Sequence, residues 1–191
     1  MIVEVPHLKT FKLVALGGLL AIAACKSTPP ATNVPASPPA NTAAMPAIPN
    51  RVIYPDSAQA SADLSAALRT AAATHKRVLL DFGGNWCGDC QVLDLYFHDA
   101  KNLPILESNF VVVHVNIGHM DANEDIANRY EVPLKKGVPA LAVLSSQGKL
   151  LYSQKSGEFE AMRGMESSSV TSFLVQWRPA KAGCSTVMVN C

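Results

Sequence analysis

The sequence predicts an α/β domain in which a mixed central sheet is flanked by helices on both faces. Three observations lead to this fold class. Short apolar runs, such as residues 78–82 and 110–117, are separated by segments with helical periodicity, an alternation typical of helices packed over a sheet. Two further runs, at residues 140–144 and 149–153, are joined by a tight turn, which adds an antiparallel pair of strands. A last helical segment follows them.

The first helix and the first strand are predicted between residues 61 and 82. The segment 61–76 is rich in alanine, a strong helix former. Its apolar residues recur at helical spacing and are Leu64, Ala67, Leu68 and Ala71. The run VLLDF at 78–82 is short and rich in branched side chains, which suits a strand that is buried on both faces. Gly83 and Gly84 end this strand.

The middle of the chain predicts a helix, a strand and a second helix. From Cys87 onward the pattern becomes helical, with one apolar face that consists of Val92, Leu93, Tyr96 and Phe97. The run FVVVHVNI at 110–117 predicts the next central strand. A helix over about 122–130 then leads to Pro133.

The last part of the domain predicts a hairpin and a closing helix. Residues 140–144 and 149–153 flank the turn SSQGK, in which Gly148 occupies the tight position. The closing helix begins at Ser167–Ser169 and ends before Pro179. Its apolar face consists of Val170, Phe173, Leu174 and Trp177.

Residues 1–24 predict a lipoprotein signal peptide. Two lysines precede an apolar run that is shorter than the about 20 residues needed by a helix that spans a bilayer. The run ends in IAAC, at residues 22–25, which resembles the lipobox of bacterial lipoproteins. The resemblance implies that Cys25 is acylated, with palmitate among its acyl chains, and that it anchors the mature chain in a membrane. The alternative is an ordinary signal peptide that contains a cysteine.

The segment after the signal predicts a spacer that leads to one folded domain. Residues 25–50 contain mainly Pro, Ala, Ser, Thr and Asn, a composition that buries too little apolar surface to fold and favours extended conformations. We expect the folded domain to occupy residues 51–178 and a tail to occupy 179–191. Lys26 favours the outer membrane over the inner membrane. The net charge of +1 and the lack of a basic cluster argue against nucleic-acid binding.

Cys87 and Cys90 carry the chemistry of the domain, and three interpretations of the pair compete. Half of a zinc site is the first, but zinc needs a second pair of ligands, and no His or Cys stands at ligand spacing. A structural disulfide is the second, although so short a loop restricts the unfolded chain very little. A thiol pair that exchanges electrons with other proteins is the third, and we favour it. We therefore predict no metal ligands.

Residues 51–178 resemble the thioredoxin family. The stretch VLLDFGGNWCGDC at 78–90 resembles the family's strand with its acid, followed by the motif Trp-Cys-Gly-x-Cys. Asp81 stands six positions before Cys87, as the family's buried acid does, and GVP at 137–139 resembles the family's proline loop. The resemblance implies a thioredoxin fold, a thiol:disulfide oxidoreductase that acts on protein thiols and disulfides, and no cofactor beyond its own cysteines.

The chemistry of this family implies a role for each residue around the thiols. Cys87, at a helix amino terminus that stabilises thiolate, attacks the disulfide of a partner, and Cys90 resolves the mixed disulfide. Asp81, buried below the pair, accepts the proton of Cys90. Trp86 packs against the thiols and shields them. The residues that bind substrate are Trp86, Val138 and Pro139, and a cis peptide bond between the last two presents main-chain groups to an extended substrate.

Three departures from the family affect electron flow, proton transfer and partner choice. Asp89 lies between the two cysteines and disfavours a neighbouring thiolate, so we expect a reductant or an isomerase rather than a strong oxidant. His114 stands where thioredoxin has a lysine near the buried acid, and it either relays protons or is a histidine satisfied within its strand. An insertion, PLKK at 133–136, either changes partner choice or has no function.

Two cysteines and two other functions remain open. Cys184 and Cys191, in the predicted tail, either form a structural disulfide in an oxidising compartment or shuttle electrons to the first pair. The stretch NWCGDCQVLDLYFHD resembles most the periplasmic branch related to the soluble domains of disulfide interchange proteins. It predicts a lipid-anchored protein of the bacterial cell envelope that faces the periplasm, with an electron donor still to be identified. The first competing function is a non-catalytic binding lipoprotein, which the intact CxxC argues against. The second is copper delivery, which the CxxC spacing argues against.

Overall fold

The computed structural model describes residues 51–180. Several predictions therefore lie outside the described residues and stay predictions. They concern the signal peptide at 1–24, the lipidated Cys25, the spacer at 25–50, and the pairing of Cys184 with Cys191.

A four-stranded sheet forms the centre of the domain. Its strands are β1 (Arg77–Gly83), β2 (Phe110–Asn116), β3 (Ala140–Leu144) and β4 (Leu150–Ser153). They lie in the order β2-β1-β3-β4. Strands β1 and β2 are parallel, whereas β3 is antiparallel to both β1 and β4. This mixed topology confirms the predicted fold class.

Within residues 51–180, five α-helices cover the two faces of the sheet. They are α1 (Ala60–Thr74), α2 (Gly88–Phe97), α3 (Leu103–Asn109), α4 (Glu124–Arg129) and α5 (Ser167–Trp177). Helices α1 and α4 pack in one hydrophobic cluster with one face of the sheet, and α2, α3 and α5 pack in a second cluster with the other. Short 3₁₀ turns at Ser57–Gln59, Leu134–Lys136 and Met162–Gly164 connect these elements.

Side chains of β1 alternate between the two clusters, as the pleat of a strand requires. Leu80 and Phe82 point to the α1 side, whereas Leu79 belongs to the α2 side. By the same alternation Asp81 points to the α2 side, in register with His114 on β2. The parallel pairing of β1 with β2 thus places an acid and a histidine side by side.

Helix α3 is the one regular helix of the described chain that the sequence analysis did not predict. Only Leu106 is buried among its residues, so it lacks the repeating apolar face that makes a helix visible in a sequence. The other predicted helices and strands are present, with bounds shifted by one or two residues at several ends. Within residues 51–180, none of the helices has the length and apolar character needed to cross a bilayer.

Candidate active site

The two cysteines lie at the junction between β1 and α2. Cys87 is the N-cap of α2, and its Sγ accepts a hydrogen bond from the backbone N–H of Cys90 at 3.1 Å. The two residues are joined by a disulfide. Cys87 is 6% exposed and Cys90 is fully buried. The sulfur that a partner can reach is therefore also the sulfur that faces the positive end of the helix dipole.

A proline loop lies against Cys87. The Val138–Pro139 peptide bond is cis, and the carbonyl oxygen of Val138 is 3.6 Å from Cys87 Sγ. The buried Gln154 holds this loop, because its Nε2 donates to the carbonyl of Pro139 at 3.3 Å and its Oε1 accepts from the backbone of Leu141. A backbone carbonyl is thus fixed beside the reachable sulfur.

Trp86 is more exposed than the sequence analysis expected. Its side chain is 49% exposed, and its Nε1 donates to the carbonyl of Gly118 at 2.6 Å. His119, to which the sequence analysis assigned no role, stacks on the indole with ring centroids 6.1 Å apart. Trp86 therefore forms part of the surface next to Cys87 instead of a cover over the thiols.

Asp81 is fully buried, and one of its two carboxylate oxygens has two hydrogen-bonding partners. The hydroxyl of Tyr54 donates to Oδ2 at 2.9 Å, and Nδ1 of His114 lies 2.9 Å from the same oxygen. Among the described residues Oδ1 has no hydrogen-bond partner. His114, whose side chain is 25% exposed, thus contacts both the buried acid and the solvent.

Tyr54 is the site residue that the sequence analysis missed. It is 1% exposed and packs in one cluster with Cys87 and Cys90. Burial above all, followed by the negative charge of Asp81, raises the pKa of the Tyr54 hydroxyl well above its usual value. The side chain therefore stays a protonated hydrogen-bond donor. A single tyrosine followed by Pro55 carries no periodic signal, so nothing in the sequence indicated this position.

Gly83 makes the approach of Tyr54 to the thiols possible. A Cβ at this position would overlap the Tyr54 hydroxyl and would lie 2.7 Å from Cys90 Sγ. Because glycine has no Cβ, the hydroxyl and the sulfur both occupy the space beside it.

A strap, residues 51–56, holds Tyr54 over the site. Asn85 Oδ1 accepts hydrogen bonds from the backbone N–H groups of Ile53 and Tyr54, and its Nδ2 donates to the carbonyl of Tyr54. Gln91 makes a second pair of hydrogen bonds with the backbone of Arg51. The side chain of Arg51 also forms an ion pair with Asp94 of α2. The strap is thus bound to the loop and the helix that carry the cysteines.

The charge of Asp89 is compensated, which the sequence analysis did not foresee. Nη2 and Nε of Arg163 donate to Oδ2 at 2.8 and 3.1 Å, and the backbone N–H of Arg163 donates to Oδ1 at 2.9 Å. Burial alone would raise the pKa of Asp89, but the hydrogen bonds and charge of Arg163 hold it below its usual value. The pairing in turn raises the pKa of the guanidinium.

The part of the chain that the structure describes contains no group of three or more His, Cys, Asp or Glu side chains arranged to hold a metal ion. The site consists of two sulfurs, a buried carboxylate with two hydrogen-bonding partners, and a fixed backbone carbonyl.

Comparisons with known proteins agree with this description. A family model described as "Thioredoxin-like" matches residues 59–146. A thioredoxin of Pongo abelii is 33% identical over 88 residues, which span 46% of this chain and 70% of that protein. The crystal structure of a disulphide isomerase from Xylella fastidiosa Temecula1 is 34% identical and superposes with a TM-score of 0.63, covering 66% of this chain and 96% of that one.

Proposed function

Because the chain belongs to the thioredoxin-like family of disulfide oxidoreductases, we propose that it exchanges disulfides with proteins of the bacterial cell envelope. The observation that carries this proposal is the position of Cys87. Cys87 is the more exposed residue of the pair, its sulfur caps a helix amino terminus, and the carbonyl oxygen of Val138 lies 3.6 Å from that sulfur. The helix amino terminus and the access for a partner suit a nucleophile with an acidified thiol.

The reaction proceeds in two steps from the reduced protein. The Cys87 thiolate attacks a disulfide of the partner, one partner sulfur leaves as a thiolate, and a mixed disulfide forms. Cys90 then loses its proton, and its sulfur attacks Cys87, which releases the second partner thiolate and closes the disulfide described above. Two electrons pass to the partner. Asp81 is the acceptor of the Cys90 proton in this scheme, since it is the buried carboxylate of the site.

The surface around Cys87 suits an extended polypeptide. The carbonyl of Val138, next to the cis bond with Pro139, offers a hydrogen-bond acceptor to the backbone of a substrate strand. The half-exposed indole of Trp86 lies next to the thiols in the chain and offers an apolar surface. We infer that these three residues bind the substrate.

The proposed direction is reduction. A strong oxidant of this fold requires a very stable reduced form. The dipeptide between the cysteines contains no histidine to supply that stability. Arg163 balances the negative charge of Asp89, but the pair adds no net positive charge beside the thiols. The thiolate of Cys87 therefore receives its support mainly from the helix terminus.

The envelope location rests on the sequence before residue 51. The charged flank, the short apolar run and the lipobox-like IAAC support acylation at Cys25, and the spacer then holds the domain away from the membrane. Cys25→Ala in the full chain, expressed in a bacterium, should move the protein from the membrane fraction to the soluble periplasmic fraction. A variant that still sediments with membranes would contradict the anchor.

An insulin-reduction assay tests the catalytic proposal. With dithiothreitol as the electron source, the full chain should accelerate insulin reduction, and Cys87→Ala should return the rate to that of dithiothreitol alone. A binding lipoprotein without redox activity, or a copper carrier, would leave the rate unchanged in both cases. That outcome would overturn the proposed function.

A further inference from the structure

The strap places in the active site a side chain that lies outside the residues matched by the family model. The family model matches residues 59–146, whereas Tyr54 precedes them and is nevertheless buried against both cysteines. Its position is fixed by two hydrogen bonds between its backbone and the side chain of Asn85, two residues before Cys87. The strap and Asn85 thus hold Tyr54 in the active site.

Tyr54 lies next to both groups between which resolution must transfer a proton. Its hydroxyl donates to Asp81 Oδ2 at 2.9 Å. The same hydroxyl and Cys90 Sγ both occupy the space beside Gly83, where a Cβ would overlap one and lie 2.7 Å from the other. The hydroxyl is therefore a close neighbour of the sulfur that must lose a proton, and it is hydrogen-bonded to the carboxylate that accepts the proton.

His114 extends this arrangement to the solvent. Its Nδ1 lies 2.9 Å from the same Asp81 oxygen, and its ring meets the ring of Tyr54 edge-on, with centroids 5.4 Å apart. The histidine is partly exposed, unlike Asp81 and Tyr54. The titratable groups that face Tyr54 are thus Asp81 from β1, His114 from β2, and the two thiols at the start of α2.

We propose that Tyr54 is a catalytic residue that relays the proton between Cys90 and the Asp81–His114 pair. During resolution the Cys90 thiol gives its proton to the Tyr54 oxygen while the Tyr54 proton passes to Asp81. The Cys90 thiolate then attacks Cys87 and releases the partner thiolate. When the protein instead oxidises a dithiol, the same groups return the proton to Cys90, so the relay serves either direction of electron flow.

Two features of the site suit this role. Burial keeps the Tyr54 hydroxyl protonated, so it is always able to donate to Asp81 while it accepts from the thiol. Oδ2 of Asp81, the oxygen to which Tyr54 donates, also lies 2.9 Å from Nδ1 of the partly exposed His114, so a proton that arrives there has a neighbouring group that leads to the solvent. The relay rests on the proposed function, because it operates only if Cys90 resolves a mixed disulfide.

Release of a coloured thiol from an aromatic disulfide reagent separates the two steps. We suggest the full chain with Cys25, Cys184 and Cys191 replaced by serine, so that the reagent reports only on Cys87 and Cys90. Reduced protein releases one equivalent of dye when Cys87 attacks and a second when Cys90 resolves. If the protein with an intact Tyr54 releases no second equivalent, Cys90 does not resolve a mixed disulfide, and both the proposed function and the relay are overturned.

Tyr54→Phe removes the hydroxyl and keeps the ring. The relay predicts that the second phase slows about tenfold or more, that the first phase is unchanged, and that the solvent deuterium isotope effect on the second phase changes. The matched control is Tyr96→Phe, because Tyr96 also donates one hydrogen bond, to the carbonyl of Met165 at 2.8 Å. This variant should leave both phases unchanged. Equal second-phase rates for Tyr54→Phe and the parent protein would overturn the relay while leaving the oxidoreductase intact.

Discussion

The side chain of Arg163 donates two hydrogen bonds to Asp89, one of the two residues that separate the active-site cysteines. The guanidinium also lies over Gly88, since a Cβ at that position would be 3.7 Å from its central carbon. Arg163, which is 74 positions from Asp89 in the chain, thus balances the negative charge next to the thiols. The electrostatic effect of Asp89 on Cys87 depends on this partner.

Removing Arg163 should shift the reduction potential in one direction, and removing Asp89 should shift it in the opposite direction. In Arg163→Gln the charge of Asp89 is uncompensated, which destabilises the thiolate and makes the potential more negative. In Asp89→Asn the charge of Arg163 is uncompensated, which stabilises the thiolate and makes the potential less negative. Because the Arg163 side chain is exposed, each shift should be on the order of 10 mV and should shrink at high salt. Equilibration with glutathione buffers measures the potentials.

The double variant is the control for this prediction. Arg163→Gln combined with Asp89→Asn removes both charges, and its potential should return close to that of the unmodified protein. Shifts of the same sign in both single variants would mean that the pair acts through the structure of the loop and not through its charge.

Replacing the buried acid should affect one chemical step and not the other. Asp81→Asn keeps an oxygen that can accept hydrogen bonds from Tyr54 and His114, and it removes a buried ionisable group, so the free energy of unfolding should stay equal or rise. Resolution by Cys90 should slow about tenfold or more, whereas attack by Cys87 should not. Asp99→Asn, which removes a carboxylate bonded to Lys101 and Ser167, should change neither rate. Unchanged rates for Asp81→Asn would show that Asp81 takes no part in proton transfer.

Loosening the strap should cost both stability and rate. Asn85 makes three hydrogen bonds with the backbone of Ile53 and Tyr54. At about 1 kcal/mol each, their loss in Asn85→Ala should lower the free energy of unfolding in urea by about 2–3 kcal/mol. Resolution should slow as well, because Tyr54 is no longer held in place. The control Asn109→Ala, which breaks one hydrogen bond within α3, should cost about 1 kcal/mol and leave the rate unchanged.

Local patterns were sufficient to predict the sheet and the position of the thiols. The buried run at 78–82, the two cysteines after it and the GVP loop each occupy a few consecutive residues, and the role of the cysteines and of the loop followed from their resemblance to one family in this order. The antiparallel pairing of β3 with β4 followed from a turn that contains Gly148. Such features depend on neighbours in the chain, and the sequence contains them directly.

The contacts of Tyr54 and Arg163 with the site were not predictable, because each joins distant segments of the chain. Tyr54 reaches Asp81 across 27 positions, and Arg163 reaches Asp89 across 74. Both depend on how the strap and the turn before α5 pack on α2, which no periodic pattern encodes. His114 was placed correctly beside the acid, but only because the family has a lysine at that position. Its contact with Asp81 is compatible with either of its predicted roles.

Trapping of a mixed disulfide tests the division of labour between Cys87 and Cys90 most directly. The full chain, with Cys25, Cys184 and Cys191 replaced by serine, is mixed in reduced form with a peptide that contains a disulfide, and the products are separated on a non-reducing gel. Cys90→Ala should accumulate a peptide adduct through Cys87, because the resolving attack is lost. Cys87→Ala should accumulate at least about tenfold less, because Cys90 is buried. Equal adduct formation by the two variants would contradict the assignment of Cys87 as the attacking thiol.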